Sequence, residues 1–287
     1  MKFEIRDVLL PYGEGSAVDR GWPEETGAQP WGVTWHWTAT WNLMECRDLI
    51  GQEASAGRKG HASAHYAVGR SFAEGVDRYV SLEDRSWHAG REQLLCWDGS
   101  AFTGAKDKGA RTTIGIETVN IGYARRHVTA GRDWIAATAP NGRWRMRIQP
   151  WTEDQIEMMI AVGQEVQERW PHLRPEDHHG HSDLCPEYKT DPMGMPFARV
   201  LRGIYGDPEI PDIWTPFLTL NQRREALKRL GYDVSSENAR GWREAYRVTL
   251  QRFQRDHGLV ENGLWTVFVS RRAHALLVGQ RVEPAEE

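Results

Sequence analysis

The sequence predicts a mixed α/β domain, with a central β-sheet flanked by helices, followed by a small all-α domain of three helices. Short strand-like segments occur in the first two thirds of the chain, together with a well-capped amphipathic helix. Three further helical segments follow a proline-rich stretch. We therefore predict an α/β domain at 1–205, a linker at 206–216 and a three-helix domain at 217–287.

The composition is that of a folded, water-soluble chain. Its 287 residues include 36 basic and 40 acidic side chains, for a net charge of -4, and 40% are hydrophobic. This balance excludes a mainly disordered protein. No apolar run approaches the roughly 20 residues that a membrane span needs, and the first residues lack the pattern of a secretory signal. We therefore expect cytoplasmic synthesis without membrane insertion, and the three widely spaced cysteines favour no disulfide framework.

Three segments predict the strands of the α/β domain. Residues 33–38 alternate so that Val33, Trp35 and Trp37 share one face, which places His36 on the opposite, polar face. Residues 65–68 and 113–119 are also typical of strands. In the last of these segments Glu117 faces away from its isoleucine neighbours, so two strands each present one reactive side chain.

Helices are predicted at 43–54 and from Thr152 onward. Thr152 and Gln155 form a capping box, and the apolar residues that follow have helical spacing until Pro171 ends the helix. The region 120–150 has glycines and scattered tryptophans and is predicted to be an extended loop, of a length that is usually functional.

The proline-rich stretch 204–216 separates two parts of different charge. From Pro216 onward there are 12 basic and 9 acidic residues, against 24 and 31 before it. Helices are predicted at 221–230, 242–256 and 266–278, with Gly231 and Gly258 at the positions of C-terminal caps. About 65 residues can close a small core.

The densest group of metal-binding side chain types lies at 178–194. His181, Lys189 and Asp191 fall in a segment where Gly180, Pro186 and Pro192 predict a loop. With His36, the segment offers two imidazoles and a carboxylate, which suits a catalytic zinc ion with one open position. A structural role for His36 and a solvated loop for the histidine run stay open at this point. His178 and His179 are expected to be solvated neighbours, and Cys185 a packed apolar residue.

Five motifs carry a resemblance to a known family. They are WHWTAT, HASAHYAVG, WHAG, IGIETVN and HSDLCPEYKTDP, in this order between residues 31 and 195. This combination resembles the zinc-dependent N-acetylmuramoyl-L-alanine amidases (type 2 amidases) of the bacteriophage-lysozyme and peptidoglycan-recognition-protein superfamily. The segment from His181 to Asp191 is the most specific part of the match.

The resemblance implies a role for each of these residues. The family's zinc ligands fall on His36, His181 and Asp191, its catalytic acidic residue on Glu117 and its lysine on Lys189. Some phage members have a tyrosine where this chain has Ala64 and a cysteine in place of Asp191, so the base role goes to Glu117.

Two further histidines, and two positions at which the chain differs from the family's usual residues, concern the surroundings of this site. His65 and His88 are expected either to line the cleft and contact substrate or to hydrogen-bond the zinc ligands. Met193 and Tyr188 stand where the family usually has glycine and arginine, which affects the cleft rim more than the metal.

The C-terminal part resembles a small peptidoglycan-binding module of cell-wall hydrolases. The resemblance covers about 218–278 and rests on LKRLGYDV and FQRDHGLVENGLWT, although Trp265 replaces an expected glycine. A DNA-binding helix-turn-helix is the competing interpretation, because Gln251, Arg252, Gln254 and Arg255 lie on one predicted helix. The hydrolase resemblance of the larger part favours the wall over nucleic acid.

The resemblance implies hydrolysis of the amide bond between N-acetylmuramic acid and L-alanine of peptidoglycan. The expected biology is a phage or prophage endolysin that a holin releases to the wall. A cytoplasmic amidase that recycles muropeptides and a non-catalytic peptidoglycan receptor are the alternatives. The sequence leaves the oligomeric state and the stem-peptide specificity open.

Overall fold

The computed structural model describes most of the chain. The described residues are 2–10, 17–24, 27–50, 62–89, 93–97, 102–106, 112–138, 145–184, 189–210, 220–233, 242–259 and, with gaps, 261–277. The predictions for Cys185 and Tyr188 concern residues outside these ranges.

A six-stranded sheet forms the centre of the larger part. Its strands are β1 (Ile5–Asp7), β3 (Gly32–Trp37), β4 (Tyr66–Val68), β5 (Val76–Arg78), β9 (Thr113–Thr118) and β12 (His178–Gly180). The order is β1-β5-β4-β9-β3-β12, and all neighbours are parallel except β4 and β5. The three strands predicted from the sequence are thus β3, β4 and β9; the bounds differ by one residue at both ends of β3 and at one end of β4 and of β9.

Three two-stranded pairs accompany this sheet, and all three are antiparallel. They are β2 (Val18–Asp19) with β6 (Arg85–Ser86), β7 (Gln93–Trp97) with β8 (Phe102–Lys106), and β10 (Ile135–Thr138) with β11 (Arg145–Ile148). The sequence did not predict them, since a strand of two to five residues has too short an alternation to stand out.

The helices are α1 (Leu43–Ile50), α2 (Glu153–Arg169), α3 (His181–Leu184), α4 (Phe197–Tyr205), α5 (Leu220–Arg229) and α6 (Trp242–Asp256). A 3-10 turn at Pro175–Asp177 leads into β12. The predicted mixed α/β architecture with flanking helices is confirmed.

Strands β3 and β9 form the buried middle of the sheet. Val33, Trp35, Ile114 and Ile116 are fully buried and belong to one apolar cluster with α2 and α4. The opposite face of β3 is also buried, because Thr34 and His36 have almost no exposed surface. The polar face predicted for His36 therefore lies inside the protein, as is typical of central parallel strands.

Helix α2 begins as the sequence predicts. Thr152 accepts a hydrogen bond from the backbone N–H of Gln155, and the side chain of Gln155 accepts one from the N–H of Thr152. The amide of Gln155 also donates to the carbonyl of Val119 at 2.7 Å. The cap thus attaches the helix to the residue that follows β9.

Two loop predictions need correction. The region 120–150 contains the hairpin of β10 and β11, because Arg145, Met146, Arg147 and Ile148 alternate exposed and covered positions. The predicted loop around His181 begins with the single helical turn α3. This helical turn ends before Pro186. A proline disfavours a longer helix, which is why the sequence predicted a loop there.

The C-terminal part has the expected helices. Helices α5 and α6 match the predictions closely, and residues 269–270, 272–273 and 276–277 are helical. Gly231 and Gly258 have positive φ angles of 84° and 65°, the left-handed conformation of a C-terminal cap. The domain division at 206–216 stays a prediction. None of the helices in the described ranges is both long and apolar enough to cross a bilayer.

Candidate active site

Three neighbouring strands end at the same place. In the register of β3 and β9, His36 lies opposite Glu117, and in that of β12 and β3, Gly180 lies opposite Trp35. His181 follows Gly180 and reaches the level of His36. The carboxyl ends of parallel strands are the usual place for a binding site in such a sheet.

Three side-chain atoms converge there. The Nδ1 atoms of His36 and His181 lie 3.0 Å apart. Oδ2 of Asp191 lies 3.4 Å from Nδ1 of His36 and 3.1 Å from Nδ1 of His181. All three residues are buried, and they form the one cluster of metal-ligand type found among the described residues.

The hydrogen bonds behind the two rings fix where their protons are. Nε2 of His181 lies 3.3 Å from the carbonyl of Ala89, so it carries the proton. Nε2 of His88 donates to the carbonyl of Thr113 at 2.9 Å, so its Nδ1 is an acceptor. Nε2 of His36, 3.0 Å from that acceptor, must be the donor. In the neutral rings, both Nδ1 atoms therefore present lone pairs to each other.

The charge states agree with this arrangement. Burial, and then the nearby His181, lowers the pKa of His36 to about 4, so the ring is neutral at pH 7. Burial opposes ionisation of Asp191, but the adjacent His181 and His36 outweigh it, so its pKa is lowered. A neutral imidazole and an ionised carboxylate are the forms that bind a metal.

The spacing also fits zinc. Tetrahedral ligands at about 2.0–2.1 Å from a zinc ion stand about 3.3 Å apart. The observed separations of 3.0, 3.1 and 3.4 Å lie near this value. Three facing lone pairs with no proton between them would repel one another, and a cation removes this repulsion. His36, His181 and Asp191 can thus hold zinc and leave a fourth position open.

Glu117 lies beside these ligands. Its Oε1 is 4.0 Å from Nδ1 of His36, and its buried Oε2 has no hydrogen-bond partner among the described residues. Burial, and then the charge of Asp191, raises the pKa of Glu117 to about 8. A buried carboxyl group with an unpartnered oxygen and a pKa near neutrality can exchange a proton with a reacting molecule.

Lys189 belongs to the same site. Its side chain is partly exposed, and its positive charge acts on both Glu117 and His36, lowering the pKa of each. The structure therefore brings together the three predicted ligands and Glu117, and the charge of Lys189 acts on two of these four residues.

The two remaining predicted residues have different surroundings. His88 is bonded to a ligand, as described above. His65 is fully buried, and its Nδ1 accepts hydrogen bonds from the N–H of Gly115 and the hydroxyl of Ser86. Its Nε2 donates to the carbonyl of Asp84 at 2.9 Å. Both nitrogens of His65 are thus bonded within the protein.

Gly115 contributes to the site in a way that the sequence analysis missed. A Cβ atom at this position would lie 2.3 Å from Cγ of His88. Only glycine leaves room for the His88 ring against β9. The sequence signal for this role was a glycine inside a predicted strand, a position where a residue with a side chain would normally pack.

The expectation that His178 and His179 are solvated is wrong. Both are buried in β12. Nδ1 of His178 accepts a hydrogen bond from the indole of Trp35 at 3.1 Å, and Nε2 of His179 lies 2.8 Å from the hydroxyl of Thr34. They became buried because β12 pairs with β3, a contact between residues 145 apart that local sequence does not reveal.

Comparison with known proteins gives consistent matches. The chain matches the N-acetylmuramoyl-L-alanine amidase family over residues 26–194, which is more than half of it and contains all seven predicted site residues. The N-acetylmuramoyl-L-alanine amidase AmiD of Escherichia coli (strain K12) is 28% identical over 188 residues. These cover 61% of this chain and 59% of AmiD, less than two thirds of that relative.

Two solved structures are also similar. One is the complex of AmiD from E. coli with anhydro-N-acetylmuramic acid-L-Ala-D-gamma-Glu-L-Lys, with 20% identity and a TM-score of 0.49, covering 94% of this chain and 93% of that one. The other is AmpDh3 from Pseudomonas aeruginosa with anhydromuramic pentapeptide, with 19% identity and a TM-score of 0.49, covering 94% of each chain. On the extent of its sequence match, the chain belongs to the N-acetylmuramoyl-L-alanine amidase family.

Proposed function

We propose that the protein is a zinc-dependent amidase that hydrolyses the bond between N-acetylmuramic acid and L-alanine of peptidoglycan. The observation that carries this proposal is the convergence of three lone-pair donors beside a buried carboxylate with an unpartnered oxygen. Membership of the family supplies the substrate class. His36, His181 and Asp191 would hold the zinc ion.

Each step of amide hydrolysis then has a group to perform it. Zinc, when bound, supplies Lewis acidity, which makes water more acidic near neutral pH and polarises a carbonyl. Glu117 accepts the proton of the attacking water at its carboxylate and returns it to the departing nitrogen, because the amine is a poor leaving group until it is protonated.

Lys189 acts on the charge that develops during the reaction. The carbonyl oxygen becomes negative in the tetrahedral state, and a fixed ammonium group nearby stabilises it. Such preorganised charge is worth roughly 3 kcal/mol in known hydrolases. The effect of Lys189 on the pKa of both Glu117 and His36 indicates that its charge acts within the site.

Two substitutions test the assignment of ligands and base. Glu117→Ala should bind zinc normally but lose about 100-fold or more in kcat, which is the usual contribution of general acid–base catalysis. His181→Ala should lose both zinc and turnover. Zinc content is measured by elemental analysis, and cleavage by the release of free L-alanine amino groups from purified peptidoglycan.

Removal of the metal separates the enzyme from the receptor alternative. A chelator should abolish amino-group release, and added zinc should restore it. Release that continues in chelator, or no release with zinc present, would contradict the proposal. A non-catalytic receptor would need no intact set of ligands, whereas this chain has all three donors in contact.

We further propose that the natural substrate is the polymeric wall, as for an endolysin, rather than soluble muropeptides. The support is the C-terminal helical part, whose sequence resembles a peptidoglycan-binding module. A holin-released endolysin should clear purified sacculi at a rate comparable to its cleavage of soluble fragments. A recycling amidase should cleave the fragments and leave sacculi intact.

A further inference from the structure

The described residues 121–138 and 145–148, called here the arginine hairpin, contain β10 and β11 and the turns before them. Its described residues include five exposed arginines and a single carboxylate, Asp133. The arginines are Arg125, Arg126, Arg132, Arg145 and Arg147. None of the five forms an ion pair with a carboxylate in the described ranges. Such a patch is unusual in a part of the chain with 24 basic and 31 acidic residues.

The hairpin has one apolar and one charged face. In its register, Ile135 is opposite Ile148, and Thr138 is opposite Arg145. Ile148 is fully buried against Met193, with Met146 beside it. Because side chains alternate between faces, Arg145 and Arg147 point away from that contact, toward solvent.

Hydrogen bonds to the backbone hold one arginine of the charged face in place. The guanidinium of Arg147 donates to the carbonyl of Trp134 at 2.8 Å and to that of Arg132 at 3.2 Å. These bonds bring the backbone of Arg132 next to Arg147. A surface that carries several cations and a single carboxylate attracts an anion.

The hairpin borders the segments that carry the proposed zinc ligands. Met193, which packs on Ile148, is two residues from Asp191. The ring of Tyr123 lies 6.3 Å from that of Trp37, which adjoins His36. Arg125 donates to the carbonyl of Ala39 at 3.5 Å. Arg125 therefore lies beside the carboxyl end of β3. The apolar face of the hairpin packs next to the segment of Asp191, and its charged face is turned toward solvent at this edge.

We propose that the arginine hairpin binds free carboxylates on peptide stems of polymeric peptidoglycan, next to the stem being cleaved. This inference rests on the proposed function. The glutamate of a stem is linked through its γ-carboxyl group, which leaves the α-carboxylate free, and the last residue adds another. The guanidinium group pairs with a carboxylate through two parallel hydrogen bonds. The contacts add affinity for the polymer, where several stems lie close together.

A triple substitution tests the inference in the full chain. Arg126→Gln, Arg132→Gln and Arg145→Gln remove charge and leave the arginines that bond to backbone carbonyls. All proteins carry Glu117→Ala, so that sacculi stripped of phosphate polymers are bound and not digested. The control triple replaces Arg169, Arg174 and Arg199 by Gln; each of these exposed arginines has a carboxylate partner.

The triple variant should bind sacculi at least about 5-fold more weakly at about 0.05 M salt, as three exposed charge contacts allow. The difference should vanish at about 0.5 M salt, because the charges are then screened. The control should bind like the parent. Sacculi whose carboxylates have been converted to amides should bind the parent and the triple variant equally.

Several results would overturn the inference. One is equal binding of sacculi by the triple variant and the parent. Another is a loss of binding in the triple variant that persists on amidated sacculi, or that occurs only on walls that retain phosphate polymers. A third is that the parent binds DNA more tightly than sacculi and that the triple variant loses this DNA binding. In a background with Glu117 intact, the triple variant should cleave a soluble single muropeptide at the parent rate. If the parent with Glu117 intact does not cleave the muropeptide, the proposed function fails. If this parent cleaves the muropeptide but the triple variant binds sacculi as well as the parent does, only this inference fails.

Discussion

The position of one proton decides what His36 can do. Its Nδ1 is free for a cation because its Nε2 donates to His88, which in turn donates to the carbonyl of Thr113. His88 is therefore a positioning residue, since it acts on the ligand and not on the substrate. Groups that hold a metal-binding imidazole in this way typically contribute 10–100-fold to metal affinity.

Substitutions at His88 test this role. His88→Ala removes the acceptor and should lower zinc affinity about 10-fold or more, whereas His88→Asn offers an amide oxygen near the Nδ1 position and should retain most of it. The measurement is competition with a fluorescent chelator, with thermal unfolding to confirm folding.

His65→Asn is the matched control. His65 is equally buried but bonds to Asp84, Ser86 and Gly115 instead of a ligand. The substitution should lower stability and leave zinc affinity within about 2-fold of the parent value, since no ligand hydrogen bond is lost. An unchanged zinc affinity in His88→Ala would show that the hydrogen bond to His36 is not needed.

At the scale of elements, α2 holds the back of the sheet in place. Its cap is bonded on two sides: the hydroxyl of Thr152 donates to the carbonyl of Arg70 at 2.6 Å, and Gln155 donates to that of Val119. Val119 follows the strand that carries Glu117. The capping box therefore connects the helix, the turn after β4 and the end of β9.

Removal of the cap should be measurable. Thr152→Ala loses the hydroxyl and should lower the free energy of unfolding by about 1–2 kcal/mol. Thr152→Ser keeps the hydroxyl and should lose less than half of that. Urea unfolding followed by circular dichroism provides both values, and equal losses in the two variants would assign the effect to the methyl group.

At the scale of the whole molecule, the division of labour between the two parts is still a prediction. The larger part contains the whole candidate site. The C-terminal helices bury Leu227, Leu250 and Phe253, which belong to the same apolar cluster as the sheet of the larger part. If the C-terminal part binds the wall, it raises the local concentration of substrate near the site without contributing to the chemistry.

Truncation tests this division. The fragment 1–216 should unfold cooperatively and cleave a soluble muropeptide within about 2-fold of the full chain. Its retention on sacculi should fall by about 10-fold or more, since a second binding contact usually contributes at least that much. A fragment that does not fold, or that binds sacculi as well as the full chain, would refute the domain boundaries or the role of the module.

Local sequence determined those features that depend on neighbouring residues. The capping box, the glycine caps and the alternation in β3 and β9 follow from interactions within a few positions, so the α/β class and the C-terminal helices could be predicted. The assignments of ligands and base came from the resemblance to a family. The order of the motifs identifies the family, whereas the spacing of the residues alone does not show which distant side chains share a site.

Only the tertiary structure decided which distant residues meet. The pairing of β12 with β3 buries His178 and His179 and brings His181 to His36. The hydrogen bond from His36 to His88, whose ring packs on Gly115, fixes the proton of His36. Such contacts join residues 27–145 positions apart. Their energies arise from burial and from hydrogen bonds that exist only after the chain has folded, so no local pattern records them.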